Sequence, residues 1–206
     1  MRKFNLFLKR IIDILGSIFG LILTSPLLLI IALSIKFTSE GPIFFHQERL
    51  GKDGKVFIIL KYRTMVVNAE KMGTGLFIEP ENDSRITKVG HFLRSTSLDE
   101  LPQLWNVLIG KMSLVGPRPP VPYYPYKYEE YSDLQRMRFD VKPGITGLSQ
   151  VTVRNSVSWD EGIVYDIEYV RNLNVWIDIK IMFKTLRTLI YRENIYGKSR
   201  FDNWRN

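Results

Sequence analysis

The apolar stretch ILGSIFGLILTSPLLLIIALSI, residues Ile14–Ile35, decides the fold of this chain. It is a run of 22 residues without a charged side chain, bounded by Asp13 and Lys36. A hydrocarbon core about 30 Å thick needs roughly 20 helical residues, so a helix of this length reaches across a membrane. A cleaved signal peptide is one alternative, because Ala32-Leu33-Ser34 resembles a small-x-small cleavage site. The apolar region of such peptides is normally only about 7 to 15 residues long, which counts against that alternative.

The charges on both sides of this run indicate how the helix meets the membrane. Basic residues outnumber acidic ones after Lys36, and the first twelve residues hold four basic residues and no acidic one: Arg2, Lys3, Lys9 and Arg10. Because cytoplasmic flanks carry the excess of Lys and Arg, both flanks are predicted to be cytoplasmic. A re-entrant helix that breaks at Ser25-Pro26 satisfies this condition, since proline lacks the helical N–H and serine can compensate locally. The residues favour re-entry over a single span or a signal peptide and leave those two open.

Composition limits the rest of the chain to one ordinary domain. The 206 residues are 45% hydrophobic and carry a formal net charge of +8, which favours anionic partners. There is no cysteine and there are only two histidines, so a metal ion would have to be held by oxygen. We expect a re-entrant membrane helix over residues 1–36 and one further membrane-associated domain over residues 37–206.

Residue patterns predict the main elements of that domain. Residues 43–47 and 56–63 are β-rich runs that favour a hairpin. Residues 66–90 are polar and rich in glycine, which predicts a surface loop, with a substrate lid as the alternative. Residues 175–191 combine large apolar and basic side chains, which fits an interfacial amphipathic helix or a helix packed on the core. The expected fold class is therefore α+β, mainly helical with a small β-hairpin or sheet, a re-entrant membrane helix and interfacial amphipathic helices.

An acidic pair, Asp99 and Glu100, stands where a helix is predicted to start. Leu101, Leu104, Trp105 and Leu108 recur at helical spacing, and Pro102 suits a first turn. Two interpretations stay open for the pair. The segment 97–100 matches the S-x-x-E capping box, and the pair is alternatively a reactive centre.

Two stiff segments follow the acidic pair. In residues 115–120 three prolines surround Arg118, which leaves this arginine pre-organised for bidentate contact with phosphate; a proline-rich ligand of an SH3-like partner is the alternative. In residues 141–148, Pro143-Gly144 suits a tight turn whose amides could approach an anion. Five tyrosines between residues 120 and 131 fit a membrane interface, a sugar pocket or a bulky loop.

Together these segments resemble the bacterial sugar transferase family, the small monotopic phosphoglycosyl transferases, over essentially the whole length. The resemblance rests on seven ordered motifs: Lys9–Asp13, Ser25-Pro26, Gly41–Gln47, Leu60–Met65, Arg94–Gln103, Met112–Pro119 and Lys142–Gly147. Longer members of the family carry additional N-terminal membrane helices and a soluble domain, so this chain corresponds to their catalytic core.

The resemblance implies transfer of a sugar 1-phosphate from a UDP-sugar to undecaprenyl phosphate, with release of UMP, on the cytoplasmic face of a bacterial inner membrane. Such a product starts O-antigen, capsule, exopolysaccharide or glycoprotein glycan assembly. Asp99 matches the family's nucleophile and Glu100 its partner, so a covalent phosphosugar-aspartyl intermediate and ping-pong kinetics are expected. Mg²⁺ is the implied cofactor, with Asp99 and Glu100 as the candidate ligands.

Basic residues are expected to bind the substrate phosphates. Arg118 is the first candidate, followed by the others in order: Arg94, Lys61, Arg63, Lys142 and Arg154. No nucleic-acid partner is expected, since no recognition signature is present, and a homo-oligomer is compatible with the sequence. A non-catalytic membrane-surface adaptor and an aspartyl-phosphate phosphatase are the competing hypotheses. No signature identifies the sugar.

Overall fold

The computed structural model describes residues 2–73, 75, 83–153 and 156–191. Its elements confirm a mainly helical α+β fold with two small sheets. The helices are α1 (Arg2–Thr38), α2 (Lys88–Thr96), α3 (Gln103–Leu108), α4 (Asp133–Arg136), α5 (Leu148–Thr152), α6 (Trp159–Arg171) and α7 (Val175–Tyr191). The strands are β1 (Phe44–Leu50), β2 (Val56–Tyr62), β3 (Ser113–Val115) and β4 (Gly144–Thr146), paired as antiparallel β1–β2 and parallel β3–β4.

The predicted hairpin is present, with Phe44 opposite Tyr62 and Leu50 opposite Val56. Strand β1 extends three residues beyond its predicted end. The charged pair Glu48-Arg49 looked like loop sequence, but Arg49 donates a hydrogen bond from Nη1 to the Pro119 carbonyl at 3.0 Å, so its polar end is satisfied within the sheet region.

Helix α1 continues through Ser25 and Pro26, so the expected interruption of the helix is absent within residues 2–38, all of which are described. Pro26 has no N–H for the carbonyl of Ile22. Ser25 Oγ donates to that carbonyl at 2.8 Å, which is the local compensation that the sequence predicted. A change of direction inside the membrane stays a prediction. The helix is long and apolar enough to cross a membrane by length and composition, and much of its apolar surface is exposed.

Both ends of α1 are bonded to the same domain. Near its start, Lys9 Nζ donates to Asp178 Oδ2 at 2.7 Å, and Asp13 accepts from the Leu114 amide at 2.9 Å. Farther along, the Tyr62 hydroxyl donates to the carbonyl of Leu28 at 2.7 Å. Polar and buried contacts thus tie the helix to the domain on both sides of Ser25-Pro26.

The tyrosine-rich segment is largely core. Tyr131 is buried and makes edge-to-face contacts with Tyr126 and Phe139, at centroid distances of 5.4 and 5.2 Å. Tyr128 packs on Phe139 in the same way. These three tyrosines therefore stabilise the domain, and only Tyr123 and Tyr124 of the five are exposed.

Strands β3 and β4 correct the interpretation of Pro143-Gly144 as an anion-binding turn. Gly144 lies in β4, and its amide donates to the Pro117 carbonyl at 3.0 Å. A Cβ on Gly144 would lie 2.1 Å from the amide nitrogen of Gly116. This glycine is therefore required for close approach of two strands, and its N–H is already used.

Candidate active site

The acidic pair lies in a single 3-10 turn, Leu98–Glu100, between α2 and α3. Ser97 ends α2 in the left-handed conformation, with φ 57° and ψ 17°, and so turns the chain toward α3. Its side chain makes no capping hydrogen bond to this turn. The capping-box interpretation is therefore wrong, because a left-handed Ser97 cannot present its hydroxyl as an N-cap does and Glu100 is bonded elsewhere.

Glu100 is held by two cations from other parts of the chain. Lys61 Nζ on β2 donates to Glu100 Oε1 at 2.5 Å, and Arg118 Nη2 lies 3.4 Å from the same oxygen. Burial by itself raises the pKa of Glu100, but the charges and hydrogen bonds of Lys61 and Arg118 outweigh it, so the pKa is lowered below its usual range. Glu100 is thus ionised at neutral pH.

Asp99 is in the opposite electrostatic situation. Among the described residues its carboxylate has no hydrogen-bond or ion-pair partner. Burial raises its pKa, as does the neighbouring charge of Glu100, and Lys61 and Arg94 only partly oppose this rise. A desolvated carboxylate without a partner is more basic than an ordinary aspartate, which favours it as a nucleophile or a metal ligand.

Three of the predicted cations surround this pair. Lys61 and Arg118 contact Glu100 directly, and Arg94, in the last turn of α2, lowers the pKa of Asp99. Arg94 Nε donates to Thr64 Oγ1 at 2.8 Å, which fixes the base of its guanidinium. The Arg118 side chain is 48% exposed, so it is open to a ligand.

Arg49 is a fourth cation of the site that the sequence analysis missed. Burial and, after it, the charge of Arg118 lower its pKa to about 10, although the charge of Glu100 acts in the opposite direction. Its Nη2 donates to Gln47 Oε1, and Gln47 in turn donates to Glu70 at 2.6 Å. The charged pair Glu48-Arg49 was the sequence signal that could have identified this cation. It directly follows the β-rich run of residues 43–47, and the predicted hairpin has it in the loop.

The other predicted phosphate-binding residues lie elsewhere. Arg63 is buried, and its guanidinium donates to the carbonyls of Ser39 and Glu40 at the end of α1. Burial lowers the pKa of Lys142, and the charge that acts on it next most strongly is Arg10. Arg154 lies outside the described residues. Arg63 therefore secures α1, and Lys142 lies beside the start of that helix.

The acidic pair fits an oxygen-liganded Mg²⁺. Asp99 offers a carboxylate in a desolvated position, without a partner in the part of the chain that the structure describes, and Glu100 is already ionised. No group of three or more His, Cys, Asp or Glu side chains that could hold a metal occurs in the described ranges. Mg²⁺ commonly takes only one or two carboxylates from the protein and fills its shell with water and phosphate oxygens, so two carboxylates suffice.

The site is thus a carboxylate pair with four cations near it, Lys61, Arg94, Arg118 and Arg49, in a chain that also carries a long apolar helix. The chain belongs to the bacterial sugar transferase family, whose model matches residues 4–192. It is 43% identical to the UDP-galactose-lipid carrier transferase of Erwinia amylovora, over 92% of this chain and 42% of that protein. It is 44% identical to the UDP-glucose:undecaprenyl-phosphate glucose-1-phosphate transferase of Escherichia coli (strain K12), over 88% of this chain and 40% of that protein.

The chain therefore spans less than half the length of these two curated relatives. A third relative, the uncharacterized sugar transferase EpsL of Bacillus subtilis (strain 168), is 40% identical over 91% of this chain and 90% of that protein. The family resemblance seen in the sequence is confirmed.

Proposed function

We propose that this protein transfers a sugar 1-phosphate from a UDP-sugar to undecaprenyl phosphate and releases UMP. The observation that carries the proposal is the difference between the two carboxylates: Glu100 is paired with Lys61 and Arg118, whereas Asp99 has no ion-pair partner among the described residues. The names of the relatives supply the substrate class: one acts on UDP-glucose and undecaprenyl phosphate, and another, from Salmonella typhimurium, is an undecaprenyl-phosphate galactose phosphotransferase.

The reaction is proposed to proceed in two displacements. An oxygen of the Asp99 carboxylate attacks the phosphorus that bears the sugar, the bond from that phosphorus to the UMP oxygen breaks, and UMP leaves with the electron pair. A phosphate oxygen of the lipid then attacks the same phosphorus and displaces the Asp99 carboxylate. Because the nucleophile is used as a carboxylate, neither step needs a general base, and the acyl phosphate is reactive enough to be displaced.

The main electrostatic obstacle is that an anion attacks an anionic diphosphate. The cations of the site would reduce this repulsion by neutralising part of the negative charge. Arg118 and Arg94 flank Asp99 and would bind the phosphoryl oxygens as their charge grows. Lys61 holds Glu100 ionised and in place. Asp99 and Glu100 would hold Mg²⁺, which when bound supplies positive charge beside the phosphates.

The membrane arrangement is proposed from α1. Polar contacts on both sides of Ser25-Pro26 join α1 to the same domain, which supports a re-entrant arrangement with both ends of the helix on one side of a bilayer. The positive flanks favour the cytoplasm as that side, at a bacterial inner membrane. An acceptor embedded in the lipid would then meet the site at the membrane surface.

Helix α7 supports the interfacial part of this arrangement. Asp178 and Ile181 face the core, whereas Trp176, Phe183 and Leu186 are exposed. Exposed large apolar side chains beside basic ones are typical of a helix that lies in the headgroup region. We therefore place α7 at the interface, next to the start of α1, which it contacts through the ion pair of Asp178 with Lys9.

The experiment that tests the proposal is UMP release by detergent-solubilised protein with Mg²⁺ and a panel of UDP-sugars, with and without undecaprenyl phosphate. Sustained release from one donor that depends on the lipid supports it. Without the lipid, wild type should release about one UMP per protein and then stop, because the intermediate accumulates. Asp99→Asn should release none, and Glu100→Gln should release it slowly. Normal turnover by Asp99→Asn would contradict the nucleophile assignment. Continued release of sugar phosphate without lipid would instead favour a phosphatase.

A further inference from the structure

The backbone of the segment that carries Arg118 is held by hydrogen bonds to its carbonyl oxygens. The four consecutive carbonyls of Pro117–Pro120 each accept a hydrogen bond from a different donor: the Gly144 amide at 3.0 Å, Arg138 Nη2 at 2.9 Å, Arg49 Nη1 at 3.0 Å and the Leu50 amide at 2.9 Å. Because three of the four residues are prolines without an N–H, the segment has few donors with which to join a sheet. Its position therefore depends on groups supplied by other elements.

Arg138 is the donor with the most constrained environment. It is 3% exposed, and its Nε and Nη2 donate to Asp166 Oδ2 at 3.1 and 2.7 Å. Asp166 is buried as well, and the Trp159 ring centroid lies 4.7 Å from the Arg138 guanidinium carbon. The guanidinium is thus fixed by an ion pair on one side and by an aromatic face on the other. Nη2 of the same guanidinium also donates to the Arg118 carbonyl at 2.9 Å.

Stability alone does not account for this buried pair. Replacing a buried ion pair by apolar residues of similar volume is often neutral or stabilising, so such a pair is weak evidence for a stabilising role. What an apolar pair could not do is donate a hydrogen bond to Arg118. The side chain of Arg118 makes only a loose 3.4 Å contact with Glu100, so the position of its backbone decides where the guanidinium reaches.

We infer that Arg138, oriented by Asp166, is a positioning residue that holds the backbone of Arg118 so that its guanidinium reaches the substrate phosphates. The inference rests on the proposed function, because it concerns that same site. A misplacement of about 1 Å in such a group lowers rates by about 100-fold, so a buried residue without substrate contact can matter for catalysis.

The test is a double-mutant cycle between Arg118→Met and the paired variant Arg138→Met/Asp166→Leu. The paired variant removes both buried charges together and is expected to keep the melting temperature within a few degrees of wild type. We expect kcat/KM for UMP release to fall at least about tenfold, and Arg118→Met to cost at least about tenfold less in this background than in wild type. Arg138→Lys, which keeps the charge but not the planar fork, should give an intermediate coupling.

The matched control is Arg136→Met, two residues away. Arg136 forms an exposed ion pair with Asp133 at 3.6 Å and donates to the Glu129 carbonyl, and it has no link to Arg118. Its activity and its coupling to Arg118→Met should match those of wild type. If the paired variant folds and Arg118→Met is as costly there as in wild type, the positioning role is refuted. If the paired variant does not fold, the same coupling measured in Arg138→Lys decides in the same way.

Hydrogen exchange separates this inference from the proposed function. The Leu50 and Gly144 amides donate to the ends of the segment and report when it opens. They should exchange faster in the paired variant than in wild type or Arg136→Met. If wild type releases no UMP from any donor, the proposed function fails, and hydrogen exchange then tests by itself whether Arg138 holds the backbone of Arg118. Unchanged exchange at both amides would overturn that positioning role, whatever the activity.

Discussion

Replacing Gly90 by alanine tests whether the contact between α2 and the chain after β2 sets the geometry of the site. Gly90 is buried in the first turn of α2. A Cβ at this position would lie 1.9 Å from the carbonyl oxygen of Thr64, and 2.7 and 2.9 Å from its carbonyl carbon and Cα. All three are backbone atoms, so no change of side-chain rotamer relieves the overlap.

The size of the effect follows from these distances. Real Cβ atoms stay beyond 3.0 Å, so α2 or the Thr64 backbone must move by about 1 Å. The hydrogen bond from Arg94 to Thr64 spans the same interface, so the shift reaches the site. Overpacking costs about 1 to 3 kcal/mol in the free energy of unfolding, whereas the better helix propensity of alanine returns at most about 1 kcal/mol. A 1 Å misplacement lowers kcat/KM about 100-fold.

The assay compares kcat/KM for UMP release and the thermal unfolding midpoint in Gly90→Ala and in a helical control, Gly162→Ala. In the control, the new Cβ would lie 3.2 Å from Ser149 Oγ, a hydroxyl that can rotate away. We expect a lower midpoint and about a 100-fold loss of kcat/KM for Gly90→Ala, and near wild-type behaviour for Gly162→Ala. If the two variants melt and turn over alike, the Gly90 contact does not set the site and the reasoning is wrong.

Three further predictions concern charge. In the proposed reaction Asp99 attacks as a carboxylate, and its pKa is raised, so the rate should fall as the pH drops through a value above the usual aspartate range. Because Lys61 lowers that pKa, Lys61→Met should move the acid limb of the pH–rate profile to higher pH. An unmoved limb would argue against coupling between the two residues. Lys9→Met leaves the buried carboxylate of Asp178 without its cation, so it should lower the free energy of unfolding by about 3 to 5 kcal/mol in denaturant titrations. The control Lys111→Met, at an exposed position, should change that free energy little. Chelation with EDTA should stop UMP release and added Mg²⁺ should restore it, while full activity in EDTA would exclude the proposed role of the metal.

Features with a strong local signal were predicted correctly from the sequence. The apolar run gave α1, because a long uncharged stretch has few alternatives to a helix. The β-rich runs of residues 43–47 and 56–63 predicted the β1–β2 hairpin, although the predicted first strand ended three residues too early. The structure brings Arg118 to 3.4 Å from Glu100, and the catalytic role of these residues stays a prediction. These signals depend on neighbouring residues only.

The errors arose where a distant group decides the outcome. The 97–100 segment has the spacing of a capping box, but Lys61 on β2 takes Glu100 and the left-handed backbone of Ser97 removes the cap. Arg63 looked like a phosphate ligand, but the carbonyls at the end of α1 take its guanidinium. Spacing along the chain contains no information about such partners, because they come from elements tens of residues away.

The proline segment shows where sequence reasoning could have gone further. Residues 117–120 contain three prolines, so the sequence alone says that their N–H groups are missing while all four carbonyls still need donors. Buried carbonyls must be paired, so donors from elsewhere were required, and arginine, with five N–H donors, can serve a carbonyl and an acid at once. The sequence could not say which arginines these are. The chain has 29 basic residues, and it is the fold that brings two of them, Arg49 and Arg138, to this segment. The buried ion pair with Asp166 then makes Arg138 a fixed support for Arg118.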